Sequence, residues 1–200
     1  MAKIKNVYKF LKNKKILVTG HTGFKGSWLA LWLLKIGCNV IGISKDLPSE
    51  PSNYNHFQFK KKMKNYFFDL KNLSKLKRVI SKEKPDIIFH LAAQSIVSTS
   101  FEKPLETFET NIIGSTNILE TVRINKIPNL VYITSDKCYL NLNKQGSYKE
   151  DDILGGIDNY SSSKASAELV FNSYYQSYFK NKFLNVGSAR AGNVIGGGDF

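Results

Sequence analysis

The stretch Lys15-Ile16-Leu17-Val18-Thr19-Gly20-His21-Thr22-Gly23-Phe24-Lys25-Gly26 decides the fold. Its first five residues form a short apolar run, as in a parallel strand buried on both faces. Gly20, Gly23 and Gly26 follow at intervals of three. The first ends the strand and the last lies inside an opening helix. Glycine there permits a tight turn and lets backbone approach a pyrophosphate, while the helix N-terminus offers free N–H groups and the positive end of a dipole. In this strand–loop–helix setting the trio reads as a phosphate-binding loop. His21 reads as an exposed loop side chain.

Outward from the loop, strands and helices alternate. The helix runs Phe24–Ile36, apolar on most faces and closed by Gly37. The next strand is Asn39–Ser44. Residues 45–64, with Pro48 and Pro51, read as a long loop with room for a helical turn. Then come strand 65–68, helix 73–82, strand 86–90, helix 104–125, strand 130–134, a polar loop over 140–159, helix 160–179 and strand 183–190. This alternation predicts an α/β fold of Rossmann type, a doubly wound parallel sheet with helices on both faces. The expected ligand crevice lies at the strand C-termini.

Composition narrows the class. The chain has 200 residues, 42% hydrophobic and 22% charged, as in one ordinary globular domain. Its longest apolar run, Trp28–Leu34, is far short of the ~20 residues of a membrane span. The Lys-rich N-terminus shows no signal-peptide pattern. Two cysteines, Cys38 and Cys138, with no CxxC argue against a disulfide framework and a zinc site, so the expectation is a cytoplasmic protein without metal. The net charge of +13 lies in scattered lysines without a nucleic-acid motif, and reads as solvated faces. No nucleic-acid or membrane partner is expected.

The second chemical motif is Tyr160-Ser161-Ser162-Ser163-Lys164 at a helix start. Residues four apart share one helical face, so phenol and ammonium point into one volume. The cation is expected to lower the Tyr pKa toward a usable general base.

With its GxxGxxG loop and YxxxK pair, the chain resembles the extended short-chain dehydrogenase/reductase superfamily. The resemblance implies a cofactor site of Gly20, Thr22, Gly23, Phe24, Lys25, Gly26, Asp69, Leu70, Leu91, Ala92 and Ala93, with Tyr160 and Lys164. Asp69 would receive the adenine amino group, and His90–Gln94 would form the loop beneath the ribose and pyrophosphate. Asn111 matches that superfamily's structural Asn, or is simply a satisfied helix Asn. At the end of the second strand Lys45 suits a 2′-phosphate and Asp46 a hydroxyl. NAD is favoured on resemblance, with NADP left open.

Ser135-Asp136-Lys137 stands where nucleotide-sugar 4,6-dehydratases carry Thr-Asp-Glu. With Gly20–Trp28, Thr134–Tyr139 and Ala189–Phe200, it resembles that family, in particular its members that act on CDP-glucose. The resemblance implies an internal redox cycle: oxidation at C4, loss of water across C5–C6, and hydride return to C6. Tyr160, Lys164, Ser135, Asp136 and Lys137 would be catalytic, Asp136 as acid and Lys137 as base. A Lys base must be desolvated, and an Asp136–Lys137 ion pair at a loop edge is the competing reading. Gln94, Ser135 and Asn193 would meet the nucleotide-sugar. Cys138 reads as a half-buried packing residue. The expected division is an N-terminal extension over 1–13, the cofactor domain over 14–190, and the start of a substrate domain over 191–200, the rest of which is missing. A homodimer through helices 104–125 and 160–179 is implied. An epimerase, or a dinucleotide-binding fragment without activity, would carry most of the same signals.

Overall fold

The computed structural model describes residues 2–142, 146–181 and 184–199. Six strands form one parallel sheet: β1 (Lys15–Thr19), β2 (Asn39–Ser44), β3 (Lys64–Phe67), β4 (Ile87–His90), β5 (Asn129–Ser135) and β6 (Asn185–Ala191). Their spatial order is β3-β2-β1-β4-β5-β6, with every neighbouring pair parallel. The order reverses at β1, whose neighbours β2 and β4 lie on opposite sides. That reversal opens a crevice above the C-terminal ends of the central strands.

The β1 run is apolar throughout because both its faces are covered. Ile16 and Val18 pack with Ala30, Leu33 and Val40 on one side. Leu17 packs with Ile41, Leu76, Ile80, Ile118 and Leu119 on the other. The helices are α1 (Ala2–Leu11), α2 (Phe24–Lys35), α3 (Asn53–His56), α4 (Phe59–Lys62), α5 (Leu73–Glu83), α6 (Val97–Glu102), α7 (Pro104–Phe108), α8 (Ser115–Asn125) and α9 (Asn159–Tyr174). Gly37 follows α2 with φ +87°, closing it as the sequence predicts.

The structure differs from the sequence reading in several places. The N-terminal extension carries a helix, and the loop over 45–64 contains α3 and α4. Strand β3 sits one residue earlier than expected. The helix read as 104–125 has a π-helical stretch, Glu109–Gly114, between α7 and α8, and α9 continues into another at Tyr175–Phe179. Helix α6 was not foreseen. Lys103, at φ −130° and ψ 62°, separates it from α7 because the residue before a proline is pushed out of the helical region. The strand start expected at Phe183, residues 143–145 of the polar loop, and Phe200 lie outside the described residues.

Candidate active site

The glycine loop joins β1 to α2 at the topological switch. Gly20 has φ +73°, and a Cβ there would lie 2.8 Å from the Ala92 nitrogen. A Cβ on Gly26 would overlap the Gly20 carbonyl. Both glycines are therefore demanded by the chain's own packing. Gly23 is different: a Cβ there would meet only the Gly20 oxygen, at 3.5 Å. Its lack of a side chain matters toward the cleft. Gly23 is the N-cap of α2, no side chain caps the helix, and its first turn carries no acid. The N-terminal N–H groups and dipole are thus left for an anion.

His21 corrects the sequence reading. It is fully buried, sharing a hydrogen bond with Ser44 Oγ at 2.8 Å and packing edge-on against Tyr54. A Cβ on Gly42 would collide with its ring, so the glycine within β2 makes room for it. That mid-strand glycine was the available signal. Burial pushes His21 down to about 4.

From the loop a cleft of about 790 Å³ crosses the sheet's C-terminal edge, large enough for a dinucleotide. Gly20, Thr22, Gly23, Phe24, Lys25 and Gly26 line it at the centre. Asp69 and Leu70 line the end near β3, and Leu91, Ala92, Ala93 and Gln94 line the segment after β4. Thr19 Oγ1 accepts from the Leu91 and Ala92 nitrogens, both at 3.2 Å, fixing that segment. It also shares a hydrogen bond with His90 Nδ1 at 2.7 Å, and His90 Nε2 meets Ser115 at 2.9 Å. Burial, then the Lys164 charge, pushes His90 down to about 3. His90 is therefore a neutral structural link. Sequence reasoning did not single out Ser44, Pro48, Ser95, Val97, Glu106 and Thr110, which also line the cleft. Except for Ser44 they lie in loops and helix turns with no motif of their own.

Ser135, Asp136, Lys137 and Tyr160 line the same cleft beyond the loop. Ser135 ends β5, and its Oγ accepts from the Lys137 nitrogen at 3.2 Å, starting the turn Asp136–Cys138. The Ser135 hydroxyl donates to Asp136 Oδ1 at 3.1 Å. Asp136 and Lys137 form the ion pair anticipated as the competing reading, at 3.7 Å. The Lys137 side chain is 57% exposed, in place of the dry setting that a Lys base requires. Cys138 is completely buried, and burial pushes its thiol up to about 11, as fits a packing residue.

Tyr160 opens α9, capped by Asp158, whose carboxylate accepts from the Ser161 nitrogen at 2.9 Å. Its phenol departs from expectation: it is raised, not lowered. Burial penalises the phenolate most, Asp136 and Asp158 add to the rise, and a hydrogen bond with Ser135 opposes it. Lys164 sits beneath Tyr160 rather than on the cleft wall, its Nζ 5.8 Å from the phenol ring centroid. Burial, then the Lys25 charge, pushes it down to about 8. The cation expected to stabilise the phenolate is itself desolvated.

Asn111 Oδ1 accepts from the Gln94 nitrogen at 2.8 Å, and its Nδ2 donates to Gln94 O at 3.0 Å and Ser163 Oγ at 2.9 Å. It ties the cleft segment after β4 to α9. Gln94 lines the cleft with both ends of its amide engaged, donating to Thr107 Oγ1 at 2.9 Å and accepting from the Ile96 nitrogen at 2.6 Å. Asn193 lies on the cleft wall in the segment after β6. Arg190 does not: it pairs with buried Glu168 at 3.0 Å and donates to Tyr139 Oη at 2.9 Å. Glu168 also accepts from Thr134, the residue before Ser135. The ion pair thus braces both ends of the 135–138 turn. Among the described residues no group of three or more His, Cys, Asp or Glu is placed to hold a metal. No helix among them is long and apolar enough to cross a membrane.

A parallel sheet of this order, a glycine loop opening an uncapped helix, and a Tyr on the cleft wall with a Lys beneath it define a Rossmann-type domain of the nucleotide-sugar epimerase and dehydratase class. The model of the GDP-mannose 4,6 dehydratase family matches residues 17–188, and the chain belongs to that family. It is 44% identical over 197 residues to the CDP-glucose 4,6-dehydratase of Salmonella typhimurium, covering 96% of this chain and 55% of that protein. To the dTDP-D-glucose 4,6-dehydratase of Dictyostelium discoideum it is 36% identical, covering 92% of this chain and 44% of that one. The chain thus spans about half the length of these curated relatives. Among solved structures, a UDP-glucose 4-epimerase of Thermus thermophilus in complex with NAD is similar at a TM-score of 0.75 and 28% identity, covering 88% of this chain and 54% of that one. A dTDP-glucose 4,6-dehydratase of Streptomyces venezuelae with NAD bound matches at a TM-score of 0.76 and 25% identity, with the same coverage.

Proposed function

We propose that the protein dehydrates CDP-glucose to its 4-keto-6-deoxy product, with NAD resident in the cleft and residues 14–190 as the cofactor domain. The observation that carries this is the placement of the Ser135-Asp136-Lys137 turn and Tyr160 on one wall of the cleft that the glycine loop opens. Identity of 44% to the Salmonella enzyme of that name supports cytidine as the base. The residues fit the cofactor: Gly23 leaves backbone open to the cleft, and the α2 N-terminus is uncapped. When bound, NAD supplies the hydride acceptor and donor for the cycle.

The chain's own groups manage protons. In its phenolate form Tyr160 would take the proton of the sugar's 4-hydroxyl; the Ser135 hydrogen bond, and the positive nicotinamide ring of NAD when bound, would favour that form against the burial that raises the phenol. Asp136 gives a proton to the departing 6-hydroxyl, and Lys137 takes the C5 proton, so that water leaves across C5–C6; Lys137 gives that proton back to C5 when hydride returns to C6. The resting ion pair holds the two groups in the opposite forms, an ammonium and a carboxylate. When substrate covers it and excludes water, charge separation becomes costly, and one proton shift from Lys137 to Asp136 leaves a neutral acid beside a neutral amine.

Residues 191–200 are the start of the nucleotide-sugar platform in this reading, with Asn193 toward the diphosphate. Exposed Leu105, Ile113, Ile124, Leu169 and Tyr178 on the 104–125 and 160–179 helices support a homodimer through those faces. Two free, buried cysteines support a reducing, cytoplasmic setting. The test is incubation with NAD and CDP-glucose, following the alkaline absorbance of the 4-keto-6-deoxy product. Signal lost in Tyr160→Phe, and water loss blocked in Asp136→Asn, is the expected result. Inversion at C4 with the 6-hydroxyl kept would mark an epimerase instead, and dinucleotide binding without turnover would mark an inactive module.

A further inference from the structure

We propose that Glu106 sets the choice between the two nicotinamide dinucleotides, by holding Lys45 in an ion pair that a 2′-phosphate would have to break. The inference rests on the dinucleotide-binding reading of the cleft. In open α/β sheets the residue facing the adenosine ribose comes from the end of the second strand. Here Ser44 ends β2, and Ser44, Lys45 and Asp46 all line the cleft. By sequence the run is ambiguous: an ammonium would welcome a phosphate, a carboxylate a hydroxyl.

The structure removes the ambiguity. Lys45 Nζ lies 2.8 Å from Glu106 Oε1, which α7 contributes to the same cleft. The stretch carrying Lys45 is itself held, because the Thr22 hydroxyl donates to the Asp46 carbonyl at 2.8 Å. Lys71, also nearby, is engaged too: its Nζ lies 2.6 Å from Glu109 Oε2 and 3.9 Å from Asp69 Oδ2. Asp46, Asp69 and Glu106 all act on the Lys45 charge, and Asp69, Glu106 and Glu109 on that of Lys71. At the β3-side end of the cleft Asp46, Asp69, Glu106 and Glu109 gather around Lys45 and Lys71, and the charge of exposed Lys103 also acts on Glu106.

A 2′-phosphate, near −2 in charge, entering this cluster must displace Glu106 from Lys45 and then sit among carboxylates left unneutralised. A 2′-hydroxyl meets neither demand. The pair is partly exposed, with side-chain exposures of 55% and 39%, so the discrimination it provides is moderate. Glu106 lies 61 residues from Lys45 in the chain, beyond any rule based on the end of the second strand.

The test is equilibrium binding of NADH and NADPH, read from the fluorescence of the reduced nicotinamide. Wild type is expected to bind NADH about tenfold more tightly than NADPH. In Glu106→Gln the ratio of the two Kd values should fall about three- to tenfold, because Lys45 is freed and one carboxylate is gone. Adding Lys45→Ala to that variant should remove the gain. An unchanged ratio in Glu106→Gln, or a gain that survives in the double variant, overturns the inference. Failure of wild type to bind either dinucleotide overturns the cofactor reading beneath it.

Discussion

Replacing Glu168 with Ala should be strongly destabilising although the side chain lies off the cleft wall. The Glu168 side chain is 3% exposed and pairs with Arg190, itself 17% exposed, at 3.0 Å. It also accepts from Thr134 and, at 3.2 Å, from Ser188. Truncation leaves a half-buried guanidinium without its counter-charge and two hydroxyls without an acceptor. Breaking a buried ion pair from one side costs about 3–5 kcal/mol, and the hydroxyls largely relax, so the total is about 4 kcal/mol. That is a large share of the roughly 5–15 kcal/mol that holds a domain folded, and a melting shift of about 8–16 °C. Urea unfolding followed by circular dichroism measures it, with an unchanged m-value showing that the midpoint shift reports stability. Glu168→Leu combined with Arg190→Met removes both charges and should recover at least half of the loss. A loss below about 1 kcal/mol in Glu168→Ala, or a double variant as unstable as the two single changes added, would refute the bracing role of the pair.

Other outcomes follow from the same geometry. Gly26→Ala drives a Cβ into the Gly20 carbonyl and should destabilise by about 3 kcal/mol or more, whereas Gly23→Ala should cost about 1 kcal/mol or less yet weaken dinucleotide binding at least tenfold, as melting and fluorescence titration would show. His21 and His90 are held near 4 and 3, below the ordinary 6.5, so the unfolded chain takes up protons first as pH falls. Their contribution is complete above pH 6.5 and is lost toward pH 3–4, with a combined slope approaching about 3 kcal/mol per pH unit near pH 5, measurable as urea midpoints at stepped pH. Lys164 is pushed down to about 8, so its burial weighs against folding below that pH and is relieved as pH rises from 8 toward 10.5. Lys164→Met should therefore raise the melting temperature at pH 7 while abolishing turnover.

The parts of this molecule that were legible in sequence are those where local pattern and chemistry coincide. The run Lys15–Gly26 announces strand, turn and helix at once, because burial on both faces, a positive φ at Gly20 and the close approach at Gly26 each demand particular residue types. Tyr160 and Lys164 were legible because four residues make one helical turn. Charge was harder to read. The loop position of His21 suggests a solvent-facing side chain, whereas Gly42 leaves room for its ring to be buried. The Tyr160 phenol is raised because desolvation, which depends on the whole fold, outweighs the Ser135 hydrogen bond, with Asp136 and Asp158 adding to the rise. Arg190 carries no local signal for its role, which is to brace the turn through Glu168, a partner 22 residues away in the chain. The division of helix 104–125 leaves no mark in the sequence, because the π-helical stretch Glu109–Gly114 runs on from α7 into α8 with no proline to break it.

The most direct test of dehydration by this site is the fate of a deuterium placed at C4 of CDP-glucose. If Tyr160 and Asp136 act on one sugar within one cycle, the label appears at C6 of the 4-keto-6-deoxy product, in the same molecule, with no net accumulation of NADH. Label lost to solvent, label retained at C4, or label collecting in released NADH would contradict it.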